Sequence, residues 1–333
     1  MDFGFSDEQQ QIKATARELL TERSPFPRVR AAAEARVDDA ELWAELRALG
    51  WPGITVAEEH GGQGLGAVEL AILLEELGYA VAATPFLGTA LAAFALQHGG
   101  TDAQRARWLP GLASGELTGG FGRSGLAADA DGAAVIVLIQ DARAKPGDEA
   151  AGRGRALVID GADADVTRLE TIDPTRRYAQ VAGEGPSLGG DVAGRSAGAL
   201  AAELVGVCQR ALDMTVAYVS ERRQFGVPVG AFQAVSHRCA EMLLHTEGAR
   251  SAAYFAAWAA DAAPDRLDEA AGIATAAAGE AGRAVTGSAI QAHGGIGFTW
   301  EADVHWLFKR AQVGAELLGG ASAARIALAR ARA

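Results

Sequence analysis

Cysteine is nearly absent: Cys208 and Cys239 are the only two in 333 residues, and they show no paired spacing. A disulfide framework is therefore excluded, and with no His/Cys cluster a structural zinc is not indicated either; a reducing, cytoplasmic setting is expected. Positive charge is in deficit, 30 Lys and Arg against 42 Asp and Glu, for a net charge of -12. Neutralising a phosphate backbone needs a clustered basic surface, so a nucleic-acid partner is not expected. Long apolar runs are missing too. The longest, SAAYFAAWAA, is too short to span a bilayer, and MDFGFSDEQQ is acidic and polar where an export signal is basic then apolar, so neither export nor membrane insertion is expected.

What is present is a chain 49% apolar and 22% charged, ample for a large core or two to three smaller domains. Residues 1 to about 117 read as helices. Ser6 with Gln9 three residues on forms a capping-box signature, and Ile12, Ala16, Leu19 and Leu20 follow at helical spacing, which predicts a helix starting near Asp7. ELWAELRALG and AVELAILLEELG each carry an apolar face and end in glycine, Gly50 and Gly78, read as C-caps.

From about Thr118 the texture changes to glycines and short β-branched runs, AAVIVLIQ at 133–140 and ALVIDG at 156–161, joined by the polar stretch RAKPGDEAAGRGR. That is strand-and-turn chemistry, and about 70 residues leave room for only a small β module. From about Asp191 the chain is helical again. SAGALAAELVGVCQRALDMTVAYVSERRQ places Leu200, Leu204, Val207, Leu212, Val216 and Val219 on more than one face, as in a helix inside a bundle or at a subunit interface. The fold expected is mostly α with a small β domain: an N-terminal helical domain (1–117), a reduced middle β domain (118–190) and a C-terminal four-helix bundle (191–333).

This order, together with MDFGFSDEQQQIKATAREL, LRALGWPGITVAEEHGGQGLG and RARWLPGLASGEL, resembles the acyl-CoA dehydrogenases, flavoenzymes that oxidise the Cα–Cβ bond of an acyl-CoA thioester. Two C-terminal motifs carry the resemblance most specifically, ERRQFGVPVGAFQAV (221–235) and QAHGGIGFTWEADV (291–304). In that family they reach across a dimer interface to the adenosine and pyrophosphate end of the neighbouring subunit's FAD. The resemblance implies FAD as cofactor and Arg222, Phe225, Gln233, Gln291, Gly294 and Gly295 as its contacts. The chemistry is suitable: Arg222 is a permanently charged planar donor for a diphosphate, Gln233 donates through its amide, and Gly294 and Gly295 leave backbone N–H groups open to close approach. Taken singly, an Arg at a helix end is a solvated charge and a Gly pair is a turn; together in family order they favour the cofactor. His293 lies among them without a carboxylate to orient it and reads as a packing residue.

Other parts of the family pattern fail to transfer. A carboxylate base removes the α-proton in these enzymes, a positioning effect worth roughly 10²–10⁴ in rate. In FKRAQVGAELLGGASAARIALAR its place falls on Leu318, which takes no proton. Glu316, two residues earlier, sits about 200° around a helix from that place. The alternative family position falls near Ser196 in GRSAGAL, again without a carboxylate, and the strands that hold the flavin ring are replaced by GGFGRSGLAADADGAAVIVLIQ with no tryptophan between Trp108 and Trp258. No catalytic residue is therefore assigned.

The resemblance narrows to the shorter, base-less subunit of heterotetrameric (α2β2) actinobacterial acyl-CoA dehydrogenases acting on steroid side-chain acyl-CoA. A second, longer subunit would supply base and ring contacts, and an electron-transfer flavoprotein-like protein would accept the electrons. Two other readings stay open: an active homomeric dehydrogenase with Glu316 as a displaced base, and a flavin-free scaffold subunit.

Overall fold

A computed structural model describes residues 4–140 and 154–331. Most of the connector RAKPGDEAAGRGR, residues 143–153, lies outside the described residues. The first helix, α1 (Asp7–Arg23), opens on the expected capping box: Ser6 Oγ accepts from the Gln9 amide at 3.2 Å, and Gln9 Oε1 accepts from the Ser6 amide at 3.0 Å. Next come α2 (Phe26–Ala35), α3 (Ala40–Ala48), α4 (Ala67–Ala80), α5 (Phe86–Gly99) and α6 (Asp102–Ser114). Gly50 follows α3 in the left-handed region, as a C-terminal glycine should.

Gly78 is different. α4 runs past it to Ala80 and is capped by Val81 at φ 51°. Gly78 faces the long helix α7 (Val192–Glu221), where a Cβ would stand 2.1 Å from the Glu203 carbonyl oxygen. Gly206 does the same from the other side, its Cβ position 1.8 Å from the Glu75 oxygen. The glycine is there for the helix crossing and the cap is made without it.

Between the helical parts lies a six-stranded sheet, ordered β4-β3-β1-β2-β6-β5, of β1 (Gly119–Arg123), β2 (Leu126–Ala128), β3 (Val135–Gln140), β4 (Arg155–Asp160), β5 (Asp165–Leu169) and β6 (Tyr178–Ala182). The two β-branched runs become β3 and β4, paired antiparallel from Val135↔Asp160 to Gln140↔Arg155, while β1 runs parallel to β3. Alternation divides the sheet between two cores. Val135, Val137 and Ile139 pack into the main core shared with the helices, and Ile136 and Leu138 into a smaller one with Leu157, Ile159 and Val181.

The C-terminal part contains α7, a two-residue hairpin of β7 (Arg223–Gln224) and β8 (Val227–Pro228), then α8 (Gln233–Ala262), α9 (Leu267–His293), α10 (Val304–Leu317) and α11 (Ala321–Ala331). α7, α8 and α9 pack on one another, α10 packs on α7 and α9, and α11 packs on α9. Leu200, Leu204, Val207, Leu212 and Val219 of α7 are buried, whereas Val216 is exposed.

One buried ionic cluster ties bundle, sheet and N-terminal helices together. Glu203 on α7 accepts from Arg310 Nε on α10 at 2.9 Å and from Arg176 Nη2, ahead of β6, at 3.1 Å. Arg310 also donates to Thr175 Oγ1 at 2.9 Å and to the Ala82 carbonyl at 3.0 Å. Burial alone would raise the Glu203 pKa, but Arg176 and Arg310 together outweigh it and hold the carboxyl below its ordinary range. Asp129 goes the other way. Burial pushes its carboxyl up to about 7; Arg176 offsets this in part, while Asp38 adds to it.

Two outcomes are expected. Gly206→Ala should cost about 3 kcal/mol in a denaturant titration, because its methyl meets α4 backbone rather than a movable side chain. Asp129 titrates near 7 in the folded chain and near 3.9 when unfolded, so the native state keeps a proton that the unfolded chain loses. Its contribution is full below about pH 4 and is lost as pH rises to about 7, at up to ~1.4 kcal/mol per pH unit. Asp129→Asn, whose residue type tolerates the φ of 57° found there, should flatten the fall in melting temperature between pH 5 and pH 7.5.

Candidate functional site

The six residues of the two C-terminal motifs gather at one end of the bundle. Arg222 is the C-cap of α7, Gln233 is the first residue of α8, and Gln291, Gly294 and Gly295 close α9. The helix ends are joined by side chains. Tyr218, one turn before Arg222, stacks its ring on His293 with centroids 4.5 Å apart. Arg238 Nη1 of α8 reaches Ser288 Oγ of α9 at 3.5 Å. His293 is buried, its Nδ1 lies 2.7 Å from the Ala289 carbonyl, and burial lowers its pKa, so it acts as a packing residue.

The hairpin that carries Phe225 is tight. Phe225 at φ 53° and Gly226 at φ 82° are the two central residues, the signature of a type I′ turn. Glycine or asparagine is the usual residue at the first of these positions, and a bulky side chain there is strained by about 1–3 kcal/mol. The ring is also 94% exposed, with only an edge contact to Phe232 at 6.3 Å. A strained backbone that holds an aromatic ring in water is unexplained by the stability of this chain alone, and marks a surface that something else meets.

The donors here are free to act outward. Among the described residues Arg222 forms no ion pair, and neither Gln233 nor Gln291 has a side-chain hydrogen bond; all three are exposed. Gly294, at φ 65° and ψ -141°, lies in backbone territory reserved for glycine, and a Cβ on Gly294 or Gly295 would meet nothing within 4 Å. Cation, amides and unshielded glycine backbone together fit a diphosphate and its attached nucleoside. Three aromatic groups nearby carried no signal of their own in the sequence: Tyr218, which aligns the helix ends, and Phe298 and Trp300, 79% and 72% exposed just after the glycine turn.

The other end of the expected chemistry looks different. Leu318 follows α10 with its side chain buried, and its carbonyl accepts from Arg123 Nη1 of β1 at 3.2 Å. The Arg123 guanidinium lies against Gly319, where a Cβ would come within 2.5 Å of Nη1. Glu316 is exposed and is held by Arg283 of α9 at 2.5 Å. Ser196 is fully buried inside the bundle, its hydroxyl without a partner among the described residues.

Comparison with known proteins bears on the family and the fold. Residues 6–116 match the acyl-CoA dehydrogenase N-terminal domain and residues 193–333 the C-terminal domain. The acyl-CoA dehydrogenase IpdE2 of Mycolicibacterium smegmatis is 34% identical, over 95% of this chain and 96% of its own. Among solved structures, the steroid acyl-CoA dehydrogenase Tcur3481–Tcur3483 superposes with a TM-score of 0.85 at 28% identity, covering 97% of each chain. The ChsE4–ChsE5 complex of Mycobacterium tuberculosis also gives 0.85, at 25% identity over 99% of this chain and 98% of that one. With helices, a small central sheet and a closing bundle in the same order, and relatives matched over nearly their full length, this chain belongs to the acyl-CoA dehydrogenase family, whose cofactor is FAD.

Proposed function

We propose that this chain is one of two unlike subunits of an FAD-dependent acyl-CoA dehydrogenase, and that it holds the adenosine end of a flavin whose ring contacts and catalytic base lie on its partner. FAD, when bound, accepts the hydride that leaves Cβ. Arg222 pairs with the diphosphate, the Gly294–Gly295 backbone donates to it, Gln233 and Gln291 hydrogen-bond around it, and Phe225 flanks the nucleoside. On the family pattern a carboxylate takes the α-proton from the place of Leu318 or from near Ser196, and neither place carries one in this chain. The observation that carries this reading is the contrast between the two ends: an exposed, unpaired donor set at the bundle end, and a buried Leu318 clasped by Arg123 at the other.

The substrate class follows the relatives. A steroid dehydrogenase and the ChsE4–ChsE5 complex superpose closely on this chain, so a steroid side-chain acyl-CoA and an α2β2 assembly are the proposed substrate and state. The working division is a helical part to about residue 117, a β part to about 190 and the bundle beyond, with a cytoplasmic place and an electron-transfer flavoprotein-like acceptor. Use of Glu316 as a displaced base is disfavoured, since its carboxylate faces solvent and is neutralised by Arg283.

Co-expression with an unlike, longer dehydrogenase subunit should give a complex whose native mass and flavin absorbance correspond to one FAD per pair of chains. A homomer with one FAD per chain and acyl-CoA-dependent bleaching would refute the proposal. Within the complex, Arg222→Gln should weaken flavin retention at least tenfold, as expected for loss of a charge-assisted contact worth about 1.5–3 kcal/mol. Gly294→Ala should lower flavin content as well, and should cost about 1–3 kcal/mol of stability through its backbone angle. Glu316→Gln should leave turnover unchanged in a steady-state assay.

A further inference from the structure

Past the glycine turn the chain builds a compact aromatic and cationic corner that no contact among the described residues completes. Lys309 of α10 places its ammonium 4.1 Å from the Trp300 ring centroid and 4.8 Å from that of Trp306. Among the described residues no carboxylate comes within ion-pair distance of it, and the acid that faces it, Asp173, is already engaged by Arg310 and Thr175. His305 lies 5.0 Å from Trp300 and 4.2 Å from Trp306, ring centre to ring centre. It is only 7% exposed, yet neither ring nitrogen has a hydrogen-bond partner among the described residues. Asp303 pairs with Arg30 and also accepts from the Trp306 indole, while the carboxylate of Glu301 is exposed and forms no ion pair among the described residues.

Two donors stand without an acceptor among the described residues, the Lys309 ammonium and the Trp300 indole N–H, while a neutral His305 carries one donor and one acceptor nitrogen, both buried. Trp300 and Phe298 stand in water, and an exposed tryptophan flanked by a cation is the composition of an interface anchor. The corner adjoins the glycine turn proposed to touch the partner's flavin, so the same approaching subunit covers both.

Resting on that reading of two unlike subunits, we infer that the Trp300–His305–Lys309 corner is an anchoring point for the flavin-carrying partner, and that it receives an acidic side chain lying against the Trp300 ring. The carboxylate neutralises Lys309 and accepts from the Trp300 indole, and the partner's surface shields Trp300 and Phe298 from water.

The test uses the co-expressed complex, with its dissociation followed by sedimentation and native mass spectrometry, and with the melting temperature and circular dichroism of each variant alone as a check on folding. Trp300→Ala, which removes an exposed ring, should weaken the unlike complex at least tenfold. Lys309→Glu should weaken it further, and Lys309→Arg should stay near wild type. Flavin per surviving complex should be unchanged in all three, which separates anchoring from cofactor binding. If Trp300→Ala and Lys309→Glu both bind the partner within twofold of wild type, the corner is served by solvent and the inference is overturned, while the two-subunit reading stands. A wild-type chain that assembles only with itself and binds one FAD per copy overturns both.

Discussion

A guanidinium sealed from water has to find its hydrogen bonds inside the protein, and at Arg310 that requirement organises the whole molecule. Its three nitrogens donate to Glu203 on α7, Thr175 before β6 and the Ala82 carbonyl after α4, so one side chain links the bundle, the approach to the sheet and the N-terminal helices. Glu203 accepts from Arg176 as well, which brings a second buried cation to the same carboxylate. Such a pair is weak evidence of net stabilisation against an apolar alternative, but removing one partner leaves an uncompensated charge, at about 3–5 kcal/mol. The cluster therefore ties domain position to these bonds: undocking the sheet would separate Arg176 and Thr175 from Glu203 and Arg310.

Helix α7 transmits that constraint. Glu203 and Arg222 are 19 residues apart on one continuous helix, about 28 Å along its axis. The crossing with α4 is closed by backbone contact at Gly78 and Gly206, which leaves little freedom for the helix to slide or roll. Tyr218 and His293 then register the far end of α7 against the end of α9. The bundle-end donors are thus presented by a rigid rod whose other half is pinned in the interior, a preorganised arrangement of the kind the proposed diphosphate contact requires.

Much of this was legible in the residues, and the failures have physical causes. The capping box at Ser6, the β-branched runs that became β3 and β4, and the long apolar helix all rest on local chemistry that acts within a few residues. β1, β2, β5 and β6 carry no such run: GGFGR and LAA become strands because neighbours pair with them. Gly78 was misread because a glycine near a helix end has two uses, a left-handed cap and a close crossing, and only the partner helix decides between them. The site divides the same way. Arg222 and the glycine pair belong to motifs with fixed spacing, whereas Phe298, Trp300 and the Arg123 clasp on the 318–319 turn depend on what lies across space.

On the proposed two-subunit reading, the contrast between the bundle end and the turn at Leu318 also accounts for how half of a site can persist while the other half is remade. Groups at the bundle end are exposed and make few contacts within the chain, so their arrangement contributes little to its own stability; the strained Phe225 turn works against it. Groups around Leu318 and Arg123 are packed and mutually bonded, and a leucine in that buried setting carries no charge to desolvate. Relaxing the interior toward stability while keeping a costly surface intact is the pattern expected when chemistry has moved to a second subunit and contact with that subunit is what remains to be preserved.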